Sequence, residues 1–238
     1  MNKLTDALIW PAVLMAFHFL CRSIFKYHSD LYADILFLIM TVFLFRRKVC
    51  EELKTAPDWL DILQSAAIGF SYSASLVLFL ETVPGVPFLK DAAEGPALQV
   101  IFHYSGIYLL ILMLMHPLAE ETAFRRLLQE RIREHFGIIV SVAVSVLLYA
   151  FWFWVRDGWA GALYGILSGA LYALIYERTG SLPACTAAHM AGNAGILMSY
   201  MGMILSGGVL QILSLSMLVM AVLLFINLIS EEAEENEN

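Results

Sequence analysis

Two short stretches of an otherwise apolar chain hold side chains able to move protons. The first runs His116-Pro117-Leu118-Ala119-Glu120-Glu121-Thr122-Ala123-Phe124-Arg125. On a helix Glu121 and Arg125 are four residues apart and share a face, with the acid N-terminal to the base, the favourable order for an ion pair. Glu120 is turned about 100° away and has no basic residue at that forward spacing. A carboxylate lacking such a partner in a partly dry site is suited to general acid–base work on a water. The same pattern also fits a wet, charged helix end. The second stretch runs from Thr179 to Gly195, with Arg178-Thr179-Gly180-Ser181-Leu182-Pro183 reading as helix stop, turn and helix start. His189 and Asn193 then lie four apart on one helix face. A histidine can donate or take a proton and an amide can donate, so the pair could polarise a carbonyl oxygen. Interhelical hydrogen bonds worth about 0.6–2 kcal/mol each would use the same two residues.

The elements that must carry these groups follow from composition. Of 238 residues, 60% are apolar and 15% charged, against about 25% charged in an average soluble domain. One soluble core of this length has too few places to bury so much apolar surface. The expected fold is therefore all-α: a polytopic membrane protein of about eight transmembrane helices, since a span needs roughly 20 apolar residues. The apolar runs are continuous rather than alternating, which argues against a β-barrel. Disorder and a disulfide-rich secreted scaffold are excluded on the same composition. A net charge of -7 with no basic stripe excludes a nucleic-acid partner. Cys21, Cys50 and Cys185 are an odd set without metal spacing and read as small apolar core residues.

The spans are expected at 7–25, 30–45, 59–81, 97–118, 136–155, 159–177, 183–204 and 208–229. No small-residue cleavage site precedes Cys21-Arg22, so the first span is expected to stay. With the N-terminus in the cytoplasm, Lys3, Arg46, Arg47, Lys48, Lys54, Arg125, Arg126, Arg131, Arg133 and Arg178 fall on the cytoplasmic side. Arg22, Lys26, Lys90 and Arg156 fall on the other, so ten of the fourteen basic residues satisfy the positive-inside rule with both termini cytoplasmic. Three regions result: N-terminal membrane helices over 1–95, a helical core over 96–230, and an acidic cytoplasmic tail over 231–238. Residues 82–98, with three prolines and two glycines, read as an irregular loop. Gly161, Gly165 and Gly169 recur every four residues, a face that lets another helix approach closely. The helix with Glu120 and the helix with His189 run in opposite directions, and both polar sets start near the cytoplasmic leaflet, so they can meet.

These residues resemble the motifs of the CAAX-protease and bacteriocin-processing family of intramembrane glutamic endopeptidases, the Ras-converting-enzyme-like proteases. Glu120-Glu121-Thr122-Ala123-Phe124-Arg125 fits the family's EExxxR, and His189-Met190-Ala191-Gly192-Asn193 fits its HxxxN. Tyr176 to Leu182 is similar to the linker that precedes the second motif. The likeness covers about residues 115–200. The family's middle motif, FxxxH, is altered: Tyr149 takes the aromatic position and Phe153 stands where the histidine belongs. His116 lies one turn before Glu120 and could in principle take the histidine's place, but Pro117 is expected to distort that turn, so it is the second choice.

The resemblance implies a peptide bond cut within or beside the membrane, in a membrane-anchored or lipidated substrate. It implies Glu120 as general base, His189 and Asn193 as stabilisers of the oxyanion, and Glu121 with Arg125 as structural support. A histidine restored at position 153 is expected to raise activity. No metal or other cofactor is expected: the chain has no HExxH, and one Glu, one His and one Asn are too few zinc ligands. A rhomboid-like pairing of Ser168 with His189 is disfavoured because Ser168 sits on the glycine-rich packing face. Two other classes stay open. One is an inactive membrane scaffold or immunity-type protein that binds a peptide partner, which Phe153 favours. The other is a transporter using Glu120 and His189 as a proton relay, against which residues 1–95 do not repeat 96–238.

Overall fold

A computed structural model describes residues 3–25, 29–52, 58–82, 106–201 and 207–235, and every element among them is a helix. The elements are α1 (Lys3–Ile24), α2 (Ser29–Glu52), α3 (Trp59–Thr82) and α4 (Gly106–Glu121), followed by a π-helix (Thr122–Gln129). Then come α5 (Glu130–Thr179), α6 (Leu182–Met201) and α7 (Gly207–Glu235). The loop expected over 82–98, the start of the span at 97 and the division at 95 lie, apart from Thr82, outside the described residues.

The long helix α5 is broken twice, at Gly137 (φ 80°, ψ 177°) and Gly158 (φ 73°, ψ −159°). Both conformations are essentially open to glycine alone, so the sequence sets the corners. They divide α5 into a short first rod over 130–136, a middle rod over 138–157 and a last rod over 159–179. Gly180, at φ 59°, ends the last rod with its N–H bonded to the Tyr176 carbonyl, a left-handed C-terminal cap. The expected spans at 136–155 and 159–177 correspond to the two longer rods. Two expectations change. α2 continues to Glu52 rather than stopping near 45, and α7 runs on past 229 to include residues 231–235 of the acidic tail.

Among the described residues, Trp59–Phe79 and Met113–Trp159 are long and apolar enough to cross a membrane, and shorter apolar helices cover Leu8–Ile24, Leu31–Leu44 and Ser214–Leu228. Large apolar side chains face outward, with Phe43 82% and Ile139 86% exposed. Such a surface is suited to hydrocarbon and costly in water.

The interior has two apolar clusters. One joins α1, α2, α4, the π-helix and the middle rod through Leu14, Phe37, Ala119, Phe124, Leu128, Tyr149 and Trp152. The other joins α3, the last rod, α6 and α7 through Ile68, Tyr172, Ile175, Cys185, Ala188 and Leu228. α3 packs along both α6 and α7. Its approach to α6 is tight: a Cβ on Gly69 would meet the Ala188 carbonyl oxygen at 2.0 Å, and one on Gly195 would meet the Phe70 carbonyl oxygen at 2.6 Å. The Gly161–Gly165–Gly169 face serves a related purpose within α5. A Cβ on Gly165 would lie 2.9 Å from the Ala150 Cα, and one on Gly169 would lie 2.9 Å from the Tyr149 ring. These glycines let the last rod fold back onto the middle rod.

Candidate active site

The polar groups gather on the seam between the two clusters. α4, the π-helix and the first rod form one continuous run from 106 to Gly137, and Glu120 and Glu121 lie midway along it rather than at a wet helix end. Glu120, Glu121 and Arg125 are all 0% exposed. Consecutive positions on a helix point about 100° apart, so Glu120 addresses the first cluster and Glu121 the second.

The π-helix explains how so many polar and bulky groups enter the core together. Its five-residue hydrogen bonding is seen where the Glu130 N–H reaches the Arg125 carbonyl. The wider turn buries Thr122, Ala123, Phe124, Arg125, Leu127, Leu128 and Gln129 at once. π segments of this kind recur at functional sites. Gln129 Nε2 donates to the Ala173 carbonyl at 3.1 Å and to Glu177 at 2.8 Å, pinning the π-helix to the last rod.

Glu121 has three partners. Arg125 Nε donates to its Oε2 at 3.0 Å, and the Cys185 thiol donates to the same oxygen at 3.0 Å. His189 Nδ1 lies 2.8 Å from its Oε1. An ionised carboxylate only accepts, so that ring nitrogen carries the proton. Arg125 also donates to Ser145 and lies over the Tyr149 ring at 5.1 Å. His189 is stacked on Tyr172, with ring centroids 4.7 Å apart. Its position is therefore fixed by Glu121 on one edge and Tyr172 on one face.

Glu120 is not the isolated carboxylate that the forward spacing suggests. Tyr149 Oη donates to its Oε2 at 2.8 Å and Trp152 Nε1 donates to its Oε1 at 2.8 Å. His116 Nε2 lies 2.9 Å from Oε1, and Arg156 Nη1 lies 3.6 Å from it. His189 Nε2 faces Oε2 across 3.9 Å. Each carboxylate oxygen has two acceptor directions. Oε1 accepts from Trp152 with His116 and Arg156 beside it, while Oε2 accepts from Tyr149 and has its other acceptor direction on the side of His189.

The expected distortion of the turn at His116 is corrected. Pro117 removes a backbone donor and crowds the carbonyl four residues before it, that of Met113. The distortion therefore falls upstream, and the turn from 116 to 120 keeps its i,i+4 contact. Arg156 Nη1 donates to His116 Nε2 at 3.0 Å.

Phe153 is buried, with its ring 4.9 Å from Tyr149 and 5.3 Å from Tyr164, and the Arg156 guanidinium sits 4.3 Å above it. The side chains of the middle rod that reach Glu120 are Tyr149 and Trp152, one turn and one residue before Phe153, and Arg156, three residues after it. Asn193 is half-buried on α6 one turn beyond His189, with no side-chain hydrogen bond among the described residues. The structure thus brings Glu120, Glu121, Arg125 and His189 into one cluster and leaves Asn193 and Phe153 at its margins.

Sequence reasoning missed Asp34 and His18. Asp34 is 0% exposed and His18 2%. Asp34 Oδ2 lies 2.8 Å from His116 Nδ1, and its Oδ1 lies 3.0 Å from His18 Nε2. The signal was present, because an ionisable residue inside an apolar run marks function by default and both stand in such runs. Among the described residues these three groups are the ones placed closely enough to hold a metal ion. Each Asp34 oxygen is matched to one ring nitrogen at hydrogen-bond length, an arrangement in which protons join the groups.

A cavity of about 450 Å³ opens beside the seam, lined among others by Trp10, Leu38, Thr41, Thr122, Thr186 and Met190. Thr122 follows Glu121 in sequence, and Thr186 and Met190 flank His189. The Thr41 and Thr186 hydroxyls are buried without a hydrogen-bond partner among the described residues.

Residues 103–195 match the family described as Rce1-like, Type II CAAX prenyl endopeptidase Rce1-like. No curated protein and no solved structure matches the chain. The matched segment holds Glu120, Glu121, Arg125, Phe153, His189 and Asn193.

Proposed function

We propose, for a chain that belongs to the CAAX-protease family through its Rce1-like segment, residues 103–195, that it cleaves a membrane-anchored or lipidated peptide with a water activated by Glu120. The observation that carries this reading is the open acceptor direction on Glu120 Oε2, facing His189 Nε2 at 3.9 Å. A water bound there gives its proton to Oε2 as its oxygen bonds the scissile carbonyl carbon. The carbonyl electron pair moves onto oxygen, where the Asn193 amide donates to it, joined by His189 Nε2 when that ring carries a proton on both nitrogens. The C–N bond then breaks, the proton on Oε2 passes to the leaving nitrogen, and the carbonyl reforms. Glu121, held by Arg125 and Cys185, keeps His189 Nδ1 protonated and its other nitrogen turned to the reaction.

The wider setting belongs to the same proposal. The chain crosses the membrane about eight times, with both termini cytoplasmic. The apolar cavity beside the seam accepts the lipid-modified part of the substrate, and its two unpartnered threonine hydroxyls offer hydrogen bonds to the peptide part.

The test is cleavage of a peptide carrying a prenylated cysteine by the purified full-length protein, with a leader peptide as comparison. Glu120→Gln is expected to lower the rate by about 10²–10⁴-fold, and a parent-like rate in that variant refutes the assignment. A non-catalytic, peptide-binding reading draws on the complete burial of Glu120. Binding of the prenylated peptide without hydrolysis by the parent chain selects that reading instead.

A further inference from the structure

Glu120 is 0% exposed, and a charge so placed needs a counter-charge or else takes a proton and neutralises. Arg125 answers Glu121. Among the described residues, three side chains able to carry positive charge stand beside Glu120: His116 at 2.9 Å, Arg156 at 3.6 Å and His189 at 3.9 Å. The hydrogen bonds of His116 remove it from the three. Its Nδ1 lies 2.8 Å from Asp34 Oδ2, an acceptor, and so carries the proton. Its Nε2 lies 3.0 Å from Arg156 Nη1. A guanidinium only donates, so that nitrogen accepts and the ring is neutral. His189 spends its Nδ1 proton on Glu121 and is cationic only when a second proton is added. Arg156 is charged at every working pH.

We propose that Arg156 is a positioning residue that supplies the counter-charge of Glu120 and so keeps that carboxylate able to take a proton from water. The role rests on the proteolytic reading above. A second contact supports it. His116 Nε2 and Glu120 Oε1 are two acceptors 2.9 Å apart, and their lone pairs repel unless a cation lies against both. Arg156 Nη1 does so, at 3.0 Å from the first and 3.6 Å from the second. The guanidinium is held in that place by three neighbours. Its Nε donates to Asp157 Oδ2 at 2.8 Å, which leaves the Nη1 end turned to His116 and Glu120. Its plane sits 4.3 Å above the Phe153 ring, a cation–π contact. His116, the acceptor of its Nη1 proton, is itself oriented by Asp34. Arg156 stands in the last turn of the middle rod, just before the corner at Gly158, where the free carbonyls of a helix end favour a cation. During hydrolysis Arg156 moves no proton. The water proton goes to Glu120 Oε2 and on to the leaving nitrogen, and the carboxylate reforms beside the same guanidinium. Phe153 thereby has a part in the site without touching Glu120, as the platform on which the cation rests.

The experiment uses the full chain and the prenylated-cysteine peptide. Arg156→Gln keeps amide donors for His116 but removes the charge. It is expected to lower kcat by about 10²–10⁴-fold, the worth of a general base, while KM moves less than about threefold. Arg156→Lys restores the charge without the planar fork and is expected to bring kcat back to within about tenfold of the parent. A parent-like kcat in Arg156→Gln, a loss confined to KM, or a lysine variant no better than the glutamine one overturns the proposal. Infrared spectroscopy supplies a readout that needs no turnover and holds even where Arg156→Gln does not fold. The difference between the parent and Glu120→Gln should contain a carboxylate band, and a carboxylic-acid band in its place overturns the counter-charge. In the Arg156→Gln background the same difference should contain the acid band, and a carboxylate that persists there also overturns it. Nitrogen NMR of isotope-labelled histidine should show His116 protonated at Nδ1 and bare at Nε2. A doubly protonated ring makes His116 the counter-ion and overturns the proposal. A parent that shows the carboxylate and the neutral ring yet cleaves nothing upholds the pairing while the proteolytic reading fails.

Discussion

Arg125 balances a carboxylate that has no route to water. With both side chains fully buried, Arg125→Ala leaves Glu121 uncompensated, and breaking a buried pair from one side costs about 3–5 kcal/mol. Denaturation in detergent micelles should register a loss of that size, and a loss below about 1 kcal/mol, the range of exposed pairs, would show that the carboxylate finds another partner. Phe153 leads to an expectation different from the one its place in the motif suggests. Its ring contacts Tyr149, Tyr164 and Arg156 rather than Glu120. Phe153→His is therefore expected to change cleavage by less than about tenfold, well under the effect of a positioned acid–base group. A rise of a hundredfold or more in the peptide assay would mean that position 153 reaches the water. The carboxylates, Arg125 and His189 were legible in the sequence because their spacing and residue types are local facts. His116 was legible too, as an i,i+4 partner read backwards from Glu120, but a proline rule applied on the wrong side of the ring hid it. Asp34 could not be assigned to Glu120 from sequence, since 82 residues separate it from its partner His116 and only tertiary packing brings them together.

At the scale of elements, the site depends on two unusual pieces of backbone and one close contact. The helices themselves were readable from long apolar runs, and the breaks at Gly137 and Gly158 fall where the expected spans end or begin. The π-helix was not readable, because a local change in hydrogen bonding leaves no distinct apolar period over eight residues. The contact is between α3 and α6. Gly69 lies against the Ala188 backbone, one residue before His189. Gly69→Ala forces the two helices apart, and overpacking of this kind costs about 1–3 kcal/mol. Peptide cleavage should fall together with thermal stability, although residue 69 touches none of the polar groups. A variant that loses stability but keeps the parent rate would show that His189 is held by Glu121 and Tyr172 alone.

At the scale of the whole molecule, the distribution of basic residues predicts orientation. Reporter fusions at Lys3 and Glu235 should both report cytoplasm, and opposite sides would require an odd number of crossings. The matched segment begins at residue 103, yet the chain of close polar contacts from His18 through Asp34 and His116 to Glu120 starts far outside it. Recognisable sequence motifs and the physical extent of the site are thus different boundaries. The first is drawn by residues whose local spacing is informative, the second by helices that pack side by side. A lineage that carries this arrangement inherits positions 34 and 116 as a single trait. Replacing either alone takes one polar partner from the other in an apolar interior, so the N-terminal helices are tied to the segment in which the recognisable motifs lie.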